Sequence, residues 1–213
     1  MIIQRVLKGL SNLADPDVLS IFTGGLTCNW WRTQGQLIQP LVPDRLTDRN
    51  LEWHRHSFTT ADPLQNNAPF RDNTPFISTT AGTVDRDTAN QTNTLVPAWR
   101  PGLYFATNRW TTDGWLFYCH LFLIGRRAVA MEAFSEELRD LNLYTGFSPV
   151  HLEGEITAKL VIPAAQIERA DFYSLSDARA AAANGALPTA QRSLINTNFV
   201  NPADYNNLRE LLA

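Results

Sequence analysis

Apolar residues recur at Ile2, Ile3, Val6, Leu7, Leu10 and Leu13, three and four positions apart. This spacing predicts an amphipathic helix over residues 1 to about 22, broken at Asp15-Pro16. From Thr33 to Asn50 the pattern loses its period, and Leu51-Glu-Trp-His-Arg-His-Ser-Phe58 alternates as a short strand would. Residues 59–75 are loop-like. Pro75-Phe-Ile-Ser-Thr-Thr80 is a short organised piece, apolar at its start and hydroxyl-rich at its end. Gly102-Leu-Tyr-Phe-Ala-Thr107 and the run from Gly114 to Ile124 are aromatic and apolar enough to be buried strands. Phe134, Leu138 and Leu141 predict a helix near Glu132 to Leu141. The apolar run Ile156 to Ile162, closed by Pro163, reads as a strand. An Ala-rich helix follows from Ser176 to Asn184 with Ser176 as its N-cap, then another from about Pro202 to Leu212.

Strands outnumber helices in the middle of the chain and do not alternate regularly with them. The expected class is therefore α+β, with a mixed β-sheet core, and not a doubly wound parallel sheet. One domain over 1–213 is expected, its core at about 26–173 and helical extensions at 1–22 and 174–213. With 44% hydrophobic and 18% charged residues, the chain reads as folded. A net charge of −3 gives no general attraction to nucleic acid, which makes it the less favoured partner. Cys28 and Cys119 match no zinc spacing, and no metal is expected; a disulfide and two buried thiols both remain open. The first ten residues hold too interrupted an apolar stretch for a signal peptide, and Leu116 to Ile124 is too short to span a bilayer. A soluble protein without a membrane partner is expected, its compartment undecided. Walker-type, Gly-x-Gly-x-x-Gly and His-Glu-x-x-His signatures are absent.

The chemistry concentrates at Glu153-Gly154-Glu155, immediately before the run Ile156 to Ile162. On a strand, side chains two apart share a face, so alternation would set the two carboxylates side by side. Cys119-His120 offers a nucleophile beside a base in sequence only, because neighbouring strand residues point to opposite faces.

In order, the chain carries Arg32 in Cys28-Asn-Trp-Trp-Arg-Thr33, then Phe76-Ile-Ser-Thr-Thr80, then Glu153-Gly-Glu155 and Ile162-Pro163. This order resembles the mono-ADP-ribosyltransferases of the arginine, Ser-Thr-Ser, Glu-x-Glu type, and particularly the A1 subunits of the cholera toxin and heat-labile enterotoxin group. The second half is the more specific: Tyr144-Thr-Gly-Phe-Ser-Pro149, the acid pair, and Ile162-Pro-Ala-Ala-Gln-Ile167.

The resemblance implies an ADP-ribosyltransferase-like fold and transfer of ADP-ribose from NAD+, as co-substrate, to an arginine of a protein, with nicotinamide released by a toxin or effector. Glycosidic cleavage passes through an oxocarbenium-like state, and Glu155 is expected to stabilise it while accepting from the ribose 2′-hydroxyl. Glu153 would orient the acceptor and help deprotonate its guanidinium. Ser78, Thr79 and Thr80 would hold the glutamate and the ribose. Arg32 would bind the diphosphate; an alternative alignment makes Ile21-Phe-Thr-Gly-Gly25 the first strand, with Thr23 in the arginine's place and Arg55 or no arginine left for the task. His54 or His56 would shape the NAD+ pocket, and Tyr144 and Phe147 would face the protein target. The alternatives carried with this reading are modification of a nucleic acid, NAD+ hydrolysis, and an inactive binding module of the same fold; an inhibitor or activating partner is also allowed.

Overall fold

The segment expected as an N-terminal helix is instead a central strand. The computed structural model describes residues 2–32, 45–56, 59, 61, 68–87, 91–123 and 154–204. In it β1 (Ile2–Ser11) pairs along its whole length with β6 (Gly114–Leu123), Ile2 opposite Leu123 and Ser11 opposite Gly114. On its other side it meets β3 (Phe76–Thr80) at Leu7 and Thr80. With β7 (Glu155–Lys159), β9 (Ile167–Tyr173) and β10 (Arg192–Ile195), these strands form a six-stranded sheet in the order β10-β9-β6-β1-β3-β7. Every adjacent pair is antiparallel. The fold is thus α+β, as expected, while the N-terminal extension belongs to the sheet.

Two layers of helix explain why β1 carries apolar residues in pairs. On one side Val6 joins a core with Trp115, Phe117 and Cys119 and with Val18 and Phe22 of α1 (Asp15–Gly24). On the other side Leu7 packs with Leu116 and with Leu103 of the helix Trp99–Ala106. Each large side chain buried completely, such as Trp115 or Phe117, contributes roughly 1.5–3 kcal/mol. The Trp115 indole also donates to Leu13 O at 3.0 Å, so its polar edge is satisfied.

Two further expectations exchange strand for helix. Leu51 to Phe58 was expected to be a strand; the chain forms α2 (Asp48–His56), which turns Asn50, Leu51 and His54 inward. Thr47 Oγ1 accepts the Asn50 N–H at 3.2 Å at its start. Gly102 to Thr107 was likewise expected to be a strand but lies mostly in α3 (Trp99–Ala106). Here the glycines set the approach of helix to sheet: a Cβ on Gly9 would lie 2.3 Å from Ala106 N, and one on Gly114 would lie 1.7 Å from Ala106 O.

The expected strand Ile156 to Ile162 divides. Leu160, at φ 59°, ends β7, and β8 (Val161–Ile162) pairs instead with β2 (Leu26–Thr27) in a small second sheet. A ribbon of β4 (Thr83–Asp87) and β5 (Thr92–Val96) follows β3. The Ala-rich helix is α4 (Leu175–Asn184), capped by Ser174 and not Ser176: Ser174 Oγ accepts from Asp177 N at 3.1 Å. Of the last expected helix only a short 3-10 turn, Pro202–Asp204, is among the described residues. The helix expected at Glu132 to Leu141 lies outside them.

Cys28 and Cys119 are free, buried thiols. Burial pushes Cys28 up to about 11 and Cys119 up to about 12. Among the described residues, no helix is long and apolar enough to cross a membrane.

Candidate active site

The β3–β7 ladder decides which hydroxyls meet the glutamate. Ser78 pairs with Thr157 and Thr80 with Glu155. Directly opposed residues of an antiparallel pair share a face, as do residues two apart on one strand. Ser78, Thr80, Glu155 and Thr157 therefore form one patch, and Thr79 points away. Thr79 Oγ1 instead donates to Ile156 O of the partner strand, a tie between the two strands.

Onto this patch α2 brings His54, whose ring is buried beside Phe76, with ring centroids 5.6 Å apart. His54 Nδ1 lies 2.7 Å from Thr74 Oγ1, and Nε2 lies 2.7 Å from Ser78 Oγ. Glu155 is only 3% exposed. Its Oε1 accepts a hydrogen bond from Thr157 Oγ1 at 3.0 Å and lies 3.7 Å from His54 Nε2. A carboxylate taken from water at this depth is retained only if such donors surround it. The arrangement offers a fixed negative charge flanked by hydroxyls, suited to stabilising a cation formed against it.

Gly154 is constrained twice, by its backbone conformation and by a close neighbour. Its φ is +57°, a left-handed conformation, and a Cβ there would lie 2.2 Å from Gly82 O. Its carbonyl accepts from Ala81 N at 2.9 Å. The strand begins at Glu155, so among the described residues the alternation expected of the acid pair can be followed only from Glu155 onward. Glu153 itself, with Tyr144 and Phe147, lies outside the described residues.

Arg32 is exposed and sits on a helical turn, not on a strand; its side chain donates to Asn29 Oδ1 at 2.6 Å. Ile21 to Gly25 closes α1, which removes the alternative in which this segment is the first strand. Thr23 is exposed there and bonds Leu19 O at 3.1 Å. Arg55 and His56 fall on the last turn of α2, and their side chains are not among those described. Of the two candidate histidines, His54 is the one whose side chain is described, and it lies on the patch.

Three residues of this neighbourhood went unread in the sequence. Thr157 could have been found, since it stands two positions after Glu155 on the same strand. Thr74 and Arg45 carry no such signal. Arg45 is 3% exposed, donates from Nη2 to Asn73 O at 2.7 Å, and stacks over Trp30 and Phe70, each 5.8 Å to the ring centroid. It braces the backbone next to Thr74. Among the described residues no group of three or more His, Cys, Asp or Glu is placed to hold a metal ion.

No family model matches the chain. Sequence comparison with curated proteins finds no match. Among solved structures, the chain is similar to EcPltA, with a TM-score of 0.46 and 13% identity over 93% of this chain and 88% of that one. It is also similar to the catalytic domain of the mosquitocidal toxin from Bacillus sphaericus, with a TM-score of 0.41 and 17% identity over 95% of this chain. The chain spans 59% of the length of that toxin structure.

Proposed function

We propose that this protein is a mono-ADP-ribosyltransferase that transfers ADP-ribose from NAD+ to an arginine of a protein target, releasing nicotinamide, as a toxin or effector enzyme. The observation that carries the reading is the convergence of Ser78, His54 and Glu155, with Glu155 Oε1 held by Thr157 and Nε2 of His54 on Ser78 Oγ. Loss of nicotinamide leaves positive charge on the ribose, and a buried carboxylate whose orientation is already fixed lowers the cost of forming it. In this reading Glu155 faces the ribose, Ser78 and Thr80 offer hydroxyls to the sugar, and Glu153 serves the acceptor. The diphosphate is assigned to Arg32, as the order of motifs implies. Its bond to Asn29 would then have to be exchanged for the ligand.

The test is incubation with labelled NAD+ and an extract containing protein and nucleic acid. Label in protein that hydroxylamine releases supports transfer to arginine. Label in nuclease-sensitive material, or nicotinamide release without transfer, would move the assignment to base modification or NAD+ hydrolysis. Neither label nor nicotinamide release would overturn an enzymatic role.

A further inference from the structure

Hydrogen-bond accounting around His54 fixes more than the position of the ring. A threonine hydroxyl has one proton to give and two lone pairs. Thr74 Oγ1 accepts the Phe76 N–H at 3.3 Å and lies 2.7 Å from His54 Nδ1. Thr74 is 3% exposed, and among the described residues its hydroxyl has no further partner. If Nδ1 carried a proton, Thr74 would accept twice and its own proton would be buried without an acceptor. That penalty biases the ring by roughly tenfold or more toward the other arrangement.

We infer that Thr74 is a positioning residue: its hydroxyl donates to Nδ1 and holds His54 as the Nε2–H tautomer. Nε2 then donates to Ser78 Oγ at 2.7 Å. Glu155 Oε1, 3.7 Å from the same nitrogen, favours a proton there as well. The chain of donors runs Thr74, His54, Ser78. Ser78 is half-buried, and among the described residues its hydroxyl proton has no protein acceptor. That proton is left for solvent or for a bound molecule. The Ser–His–Thr sequence of contacts looks like that of a serine nucleophile with its base, but the direction of donation is the reverse. His54 gives a proton to the Ser78 hydrogen bond and does not take one, and Ser78 serves as a donor to an oxygen of the bound molecule. That this oxygen belongs to NAD+ rests on the transferase reading; the tautomer does not.

The primary test needs no substrate. With 15N-labelled histidine at neutral to mildly alkaline pH, two-bond ring correlations should show His54, assigned by its loss in His54→Gln, as the Nε2–H form. Thr74→Val should mix the two tautomers, and Thr74→Ser should restore one. Phenylmethylsulfonyl fluoride should leave Ser78 unlabelled. In turnover of NAD+, Thr74→Val should lower kcat about tenfold with Thr74→Ser near the parent. An Nδ1–H pattern in the unaltered protein, or Ser78 labelling that His54→Gln abolishes, would overturn the assignment. If the protein does not consume NAD+, the transferase reading fails, while the ring spectrum still decides the tautomer.

Discussion

Thr157 Oγ1 donates to Glu155 Oε1 across 3.0 Å, so one strand carries both the carboxylate and the hydroxyl that fixes its orientation. Both side chains are almost wholly buried. Thr157→Val keeps the shape and removes the donor. We expect kcat for NAD+ consumption to fall about tenfold, with stability reduced by about 1–2 kcal/mol, whereas Thr157→Ser retains both. Steady-state kinetics and urea unfolding of the two variants check this; equal activity of the valine and serine forms would remove Thr157 from the site.

The two acids should separate. Glu155→Gln is expected to abolish both transfer and NAD+ hydrolysis, a loss of about 10²–10³-fold or more in kcat, with circular dichroism unchanged. Glu153→Gln should keep some hydrolysis and lose transfer to arginine. Parallel assays of nicotinamide release and of labelled target protein measure both, and equal loss of the two activities in both variants would refute the division of labour.

Gly154→Ala should be more damaging than its one added methyl suggests. The new Cβ meets Gly82 O, and φ +57° is unfavourable to alanine besides. A loss of about 1–3 kcal/mol is expected from the backbone alone. Activity should fall with it, because Gly154 joins the β3–β4 turn to the start of the strand that carries Glu155. Gly185→Ala is the control: its φ is also positive, at 72°, but a Cβ there meets nothing. Thermal melts of both variants should rank Gly154→Ala well below Gly185→Ala.

The cysteines predict the alkaline limb. Unfolded thiols titrate near 9, whereas those of the folded chain titrate at about 11 and 12. Above pH 9 the unfolded state thus holds fewer protons than the folded one, and the contribution of these thiols to stability is lost as pH rises from 9 toward 11 and 12. Urea midpoints should fall over that window, and Cys28→Ser/Cys119→Ala should flatten the fall. At pH 8 neither thiol should react with a disulfide reagent until the protein is unfolded.

Two of the sheet strands were legible because their sequences have no helical period. Phe76 to Thr80 and Gly114 to Leu123 form as the pattern indicates. The N-terminal strand was hidden by its own burial. Val6 faces the layer of α1 and Leu7 the layer of α3, so apolar pairs at positions 2 and 3 and at 6 and 7 reproduce helical spacing. In α2 the inward stripe includes Asn50 and His54, polar residues that obscure the apolar face. The strand-like look of α3 came from Gly102 and its aromatic neighbours, where glycine serves close approach to Leu116. At the site, the Ser-Thr-Thr strand and Glu155 could be read from local order. Thr74 and Arg45 could not, because each is defined by side chains or backbone that arrive from elsewhere in the chain: His54 for Thr74, and Trp30, Phe70 and Asn73 for Arg45.

The placement of β1 between β6 and β3 bears on how the chain acquires its shape. A ribosome releases residues 2–11 well before their partners at 76–80 and 114–123. The strand β1 must wait, its long edge solvated, until β6 has been made. Pairing at such sequence separation is slow, and the interval exposes an apolar edge. Passage through an unfolded state would reopen the same interval, so refolding yield should depend on protein concentration more steeply than activity does.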